Sequence, residues 1–236
     1  MYTFIFTALV FIIGGGTPFS FVWAFYSPCL LQYEITLVEL WAYAFIFYFI
    51  HGIWIDLLPF EPMQQTKMLP MRIIFPVAVR NLLSCMLLLK FVSVSNRTIS
   101  DAEAALYLLV AGIGNEFVYA PAHRLLHTKM LYKYHYLHHT QKAPRAIGAV
   151  YCSVVEMWFA NLLSVFLPLS LTKAPLQIYF IWTICAIQTT QVHHSSKKWP
   201  FPWNGWNGKQ PKYHDDHHRL VNVNFGNIGF LERLLT

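Results

Sequence analysis

Apolar residues run along this chain in long blocks, and the polar residues collect between them. Blocks at about 36–58, 73–94, 102–122, 146–170 and 174–192 each approach the ~20 residues that a helix needs to cross the ~30 Å hydrocarbon core of a bilayer. A further block at 3–26 is interrupted by Gly14-Gly15-Gly16-Thr17-Pro18, which predicts a helical segment in two pieces. Its opening, MYTFIFTALVFIIGGG, has neither the basic start nor the small-residue cleavage site of a signal peptide, so an uncleaved, glycine-broken span is expected. The pattern predicts an all-α integral membrane protein with four to six transmembrane or membrane-embedded helices and a helical cap. One membrane domain would cover 1–236, with N-terminal spans in 1–111 and the histidine-rich region in 112–236.

Composition sharpens this reading. Of 236 residues, 56% are hydrophobic and 12% charged, against about 45–50% and about 25% in soluble domains. The formal charge of +6 raises the question of a nucleic-acid partner, but the basic residues lie between the spans and not on a soluble face. The loop 59–72, the segment 123–145 and the tail from 193 hold most of them, whereas the opposite turns near 27–35, 95–101 and 170–175 hold only Arg97 and Lys173. The positive-inside rule then turns the basic segments toward the cytoplasm, and the sequon Asn96-Arg97-Thr98 falls on the far side. Cys29, Cys85, Cys152 and Cys185 stand singly with no CxxC and read as small hydrophobes, not as a disulfide framework or thiolate site. Glu39 and Arg80, both within spans, are expected either to pair between neighbouring helices or to line a pocket.

The chemistry is concentrated in imidazoles. Of 11 histidines, all but His51 lie between 123 and 218. His123 and His127 form an HxxxH pair on one helix face, just after Pro121. His135, His138 and His139 form an HxxHH set, His214, His217 and His218 a second one, and His193-His194 stands between. A lone histidine such as His51 reads as a satisfied core residue. The set does not: neutral imidazole is the commonest metal-ligand side chain, and a single zinc takes about four ligands, so eight boxed histidines with His194 and His193 nearby ask for two metals. Such a site needs acceptors to orient the rings, for which Asp215, Asp216 and Glu116 are candidates. Glu156 reads as a buried acid satisfying a neighbouring histidine.

HxxxH, HxxHH and HxxHH in this order, on membrane-spanning helices, resemble the fatty acid hydroxylase/sterol desaturase superfamily, the membrane-bound di-iron oxygenases. The likeness covers about 112–236 and extends to Ala143-Pro144, Tyr151 with Glu156, His194-Ser195 and Asn224-Phe225-Gly226. The stretch HRLLHTKMLYKYHYLHHTQKAP is most similar to the C-4 methylsterol oxidase branch. The resemblance implies an oxidoreductase in which two iron ions, held by His123, His127, His135, His138, His139, His193, His194, His214, His217 and His218, use dioxygen to oxidise a C–H bond of a lipid. C-4 methyl oxidation of a sterol is the expected reaction, with fatty acyl hydroxylation or sterol desaturation as alternatives. It also implies the endoplasmic reticulum as location and cytochrome b5 with its reductase as electron donor, docking near Lys129, Lys133, Lys197 and Lys198, although attraction of these lysines to anionic lipid explains them equally. Outside the resemblance, a zinc-binding transporter or interaction protein is the competing class.

Overall fold

The computed structural model describes residues 2–88, 97–200 and 210–235; Asn96 of the sequon lies outside the described residues. Its regular elements are helices. The first apolar block divides into α1 (Tyr2–Ile13) and α2 (Pro18–Leu30). Gly15 and Gly16 turn the chain at φ 86° and 68°, a region open to residues without a Cβ. Thr17 then starts α2 by exchanging hydrogen bonds with Ser20, and Pro18 occupies the first turn, where its missing N–H costs nothing.

The remaining helices are α3 (Leu37–Leu57), α4 (Met71–Leu88), α5 (Asp101–Leu126), α6 (Tyr132–His139), α7 (Val154–Leu171), α8 (Leu176–His193), α9 (Lys212–Leu220) and α10 (Phe230–Leu235). Of these, α3, α5 and α7 are long and apolar enough to cross a membrane. Their outward faces carry exposed Leu57, Phe159 and Leu171, as a lipid-facing surface requires. α5 runs through Pro121 without ending. At 1.5 Å per residue its 26 residues span about 39 Å, more than the ~30 Å hydrocarbon core; its last turn carries His123, and His127 caps its end.

α8 is the central helix, packed against α1, α2, α3, α5 and α7. Its glutamines hold neighbouring backbone: Gln191 donates to Tyr48 O (2.8 Å) and Gln177 to Tyr33 O (2.9 Å). His51 is a structural residue, buried, stacked on Phe47 and donating through Nδ1 to Gln191 Oε1 at 2.7 Å. Within α7, one π-helical turn at Met157–Leu162 follows directly on Glu156; such turns frequently mark functional sites.

Two expectations fail here. Glu39 and Arg80 do not pair. Glu39 accepts from the backbone and side chain of Thr36 and so starts α3, while Arg80 donates to Cys152 O (2.8 Å) and Asn81 Oδ1 (3.1 Å). Lys197, expected on an exposed docking face, is buried: its Nζ donates to Ile55 O and Asp56 O, both 2.8 Å, and to Leu58 O. The last carbonyls of a helix have no intrahelical donor, and an ammonium satisfies those at the end of α3. Lys129, Lys133 and Lys198 are exposed.

Candidate metal centre

Four helices deliver the histidines to one place: the end of α5 (His123, His127), α6 (His135, His138, His139), the end of α8 (His193, His194) and α9 (His214, His217, His218). Nine of them form two groups, each with its ligand nitrogens within 4.8 Å of one another. The first is His123, His127, His135, His139 and His217; the second is His138, His194, His214 and His218. His193 belongs to neither.

Each HxxHH set is divided between the groups. Helical positions advance about 100° per residue, so residues four apart lie about 40° apart, while the residue at i+3 falls about 60° to the other side of i. On α6 the i,i+4 pair His135/His139 serves the first group and His138 turns to the second. On α9 the arrangement reverses, with His214/His218 in the second group and His217 in the first. Both helices therefore contribute to both groups.

The nitrogens face one another as ligands of a common ion would. His123 Nε2 and His135 Nε2 are 3.0 Å apart, His127 and His139 Nε2 3.3 Å, His194 and His138 Nε2 3.2 Å, and His194 and His214 Nε2 2.9 Å. Nitrogens bound ~2.1 Å from one metal sit about 3 to 4 Å from each other. Hydrogen bonding within the cluster does not satisfy all of these atoms. His123 Nδ1 lies 2.7 Å from Phe225 O, His194 Nδ1 2.8 Å from Thr190 O and His217 Nδ1 2.6 Å from Val223 O. A carbonyl only accepts, so Nδ1 carries the proton in each and Nε2 presents a lone pair. His217 Nε2 and both nitrogens of His218 are buried with no partner, a costly arrangement that a bound cation relieves. The donor set thus fits metal ions.

Burial also keeps the rings neutral, which is the ligating form. It pushes His127 and His194 down to about 4 and His217 to about 3. For His138, His214 and His218, burial and then the neighbouring imidazoles push the value well below the usual histidine range.

Of the acids expected to serve the rings, Glu156 stands beside them, whereas Asp215, Asp216 and Glu116 have other partners. Asp215 accepts from the Ser196 hydroxyl, and Asp216 pairs with Lys212 and Arg219 on the surface. Glu116 acts at one remove. It accepts from the backbone N–H groups of Asn227 (2.8 Å), Ile228 (3.1 Å) and Phe230 (3.0 Å), fixing the turn whose Phe225 carbonyl holds His123. A Cβ on Gly226 would stand 2.5 Å from Glu116 Oε1, so this close approach needs glycine. Glu156 is the acid that reaches the rings: its Oε1 is 3.0 Å from His135 Nδ1 and 3.9 Å from His138 Nδ1, one histidine from each group. The three carbonyls, of Thr190, Val223 and Phe225, leave no side-chain signal in the sequence.

A cavity of about 540 Å³ opens beside the second group. His138, His194 and His214 line it, together with His193, Asn115, Asn227 and Gln210; farther away its wall is Leu108, Trp41, Phe166 and Trp182. No member of the first group reaches it.

Residues 108–236 match the family model for fatty acid hydroxylase, more than half of the chain, and the chain belongs to that family. It is 29% identical over 134 residues to the fatty acid hydroxylase ahd1 of Mycosarcoma maydis, covering 56% of this chain and 32% of that protein. It is 31% identical over 117 residues to the very-long-chain aldehyde decarbonylase GL1-11 of Oryza sativa subsp. indica (48% and 43%) and 30% identical over 130 residues to methylsterol monooxygenase 2-2 of Arabidopsis thaliana (53% and 48%). The chain thus spans less than half the length of these relatives. No solved structure matches.

Proposed function

We propose that this protein is a membrane-bound di-iron oxygenase that oxidises a C–H bond of a lipid, at the C-4 methyl group of a sterol. The observation that carries this reading is the continuity of the site: an apolar cavity flanked by membrane-length helices ends on three imidazoles of the second histidine group. Two irons bound there would supply, with dioxygen and two external electrons, the oxidising power to convert R–H, O2 and two protons into R–OH and water.

The chain's own contribution is positional. His123, His127, His135, His139 and His217 hold one ion, and His138, His194, His214 and His218 the other. Glu156 stands between the two sets, 3.0 Å from His135 Nδ1 and 3.9 Å from His138 Nδ1, and the wall of Leu108, Trp41, Phe166 and Trp182 keeps water from the reacting carbon. A lipid reaches the cavity from the bilayer. Electrons come from cytochrome b5 and its reductase, docking over exposed Lys129, Lys133 and Lys198 on a cytoplasmic face of the endoplasmic reticulum.

The sterol assignment rests on the local likeness of residues 123–144. Relatives named for fatty acid, aldehyde and methylsterol chemistry match at nearly equal identity, so acyl hydroxylation is the second reading. Expression in cells lacking their C-4 methylsterol oxidase, with sterols and hydroxylated acyl chains profiled together, tests both. Clearance of 4-methyl sterols supports the first; their persistence alongside new hydroxy-fatty acids selects the second. No change in either pool, with iron bound and donor present, rejects the oxygenase reading. Zinc alone at full occupancy of the active protein would reject di-iron.

A further inference from the structure

The cavity has two unlike ends. Along α5 its lining runs from Leu108 to Tyr119, about 16 Å of helix axis, and the residues there change from Leu108, Leu109 and Ile113 to Asn115 and Glu116. The polar end is also the histidine end. Among the described residues no lysine or arginine lines the cavity, and the carboxylate of Glu116 is already engaged by three backbone donors.

At that polar end an amide is left with work undone. Gln210 Nε2 donates to Asn227 O at 3.1 Å, which turns Gln210 Oε1 the other way, and Oε1 is buried with no partner. A buried carbonyl oxygen without a donor costs free energy. Beside it, Asn227 Nδ2 donates to Asn115 Oδ1 (3.1 Å). His193, outside both metal groups, lines the same cavity as these amides.

Resting on the oxygenase reading above, we infer that Gln210, with Asn115, Asn227 and His193 around it, is the subsite for a hydroxyl group of the lipid, so that the substrate is a neutral lipid alcohol gripped head-first. A free acceptor selects a ligand that donates, and a hydroxyl does. A carboxylate or phosphate head would set its own acceptor oxygens against Gln210 Oε1, acceptor facing acceptor, with no lysine or arginine among the described lining residues to offset the charge beside the amides, so this subsite favours a hydroxyl over a charged head. A hydroxyl held here places the carbons nearest to it beside His138, His194 and His214, so oxidation occurs close to the head and not along the tail.

The test is equilibrium binding of labelled lipids to metal-loaded protein in nanodiscs without reductant, so that no turnover intervenes. The probes are cholesterol with cholestane and octadecan-1-ol with octadecane, with stearate as the charged comparison. In the skeleton that binds more tightly, the alcohol should bind about tenfold better than its hydrocarbon and better than stearate. Gln210→Leu should remove that preference while hydrocarbon binding and two metals per chain are retained; Asn115→Leu, which leaves the loop of Gln210 untouched, should weaken the preference in the same direction. Equal binding of alcohol and hydrocarbon by the wild-type protein overturns the inference, as does tighter binding of stearate or a preference that survives Gln210→Leu. A clear alcohol preference in protein that oxidises no lipid would leave the subsite standing and remove the oxygenase reading instead.

Discussion

The two histidine groups share two helices and a carboxylate yet face different surroundings. The first has five nitrogens, a half-buried member in His127, and two rings pinned by carbonyls of one loop, those of Val223 and Phe225. The second has four nitrogens, all from buried residues, and borders the cavity with three of its members. On the proposed function the difference would separate two tasks: the second group, on the cavity, would meet the substrate, while the first adjoins the link from α5 to α6 with exposed Lys129 and Lys133. Two ions held by nearly equal sets of nitrogens would still not be equivalent.

The largest effect should come from deleting a second-group ligand. His138→Ala and His214→Ala are each expected to abolish lipid oxidation and to lower bound metal from two ions per chain toward one, read by elemental analysis alongside product formation. Adjacent residues give the sharpest contrast. His194→Leu should lose metal in the same way, whereas His193→Leu should keep two ions. Loss of metal from the His193 variant alone would redraw the second group.

Next in size is Glu156→Gln, which acts on both groups at once because Oε1 stands near His135 and His138. Outer carboxylate partners of ligating histidines typically contribute 10–100-fold in metal affinity, and a neutral amide at this position should forfeit about that much. Competition with a graded series of chelators measures it. If only one of the two ions were released more readily, the bridging role of Glu156 would be refuted.

The spacing of the histidines was enough to read a clustered donor set of metal-ligating type, because HxxxH and HxxHH on helices have few other uses, and the structure arranges nine of them in two groups that could each hold a metal. It was not enough to divide the ligands. Positions i+3 and i+4 both count as the same face as i, and only the placement of α5, α8 and α9 around α6 decides that His138 turns away from His135 and His139. The break at Gly14–Pro18 was likewise legible, since glycine and proline act through the local backbone. Lys197 was misread for the converse reason. A lysine in a basic segment looks solvated until the end of α3, more than a hundred residues earlier in the chain, brings its unpaired carbonyls against it. The π turn after Glu156 and the three carbonyl acceptors leave no mark in residue type at all.

The smallest and most discriminating change is Glu116→Gln. The glutamate accepts three backbone N–H groups, with Oε2 taking those of Asn227 and Ile228 and Oε1 that of Phe230. A glutamine retains one oxygen and opposes the other position with an N–H group, so at least one buried donor loses its acceptor and the rest lose the charge that strengthens them. The turn at Phe225–Phe230 then loosens, and with it the carbonyl that fixes His123. His194 takes its orientation from Thr190 O, within its own helix, and should not respond. The first ion should therefore be released about threefold to tenfold more readily, below the direct outer-partner effect, while the second is held as before, giving chelator release in two separated phases. Equal acceleration of both phases would mean that the 225–230 turn supports the whole cluster, and that the first group has no independent anchor.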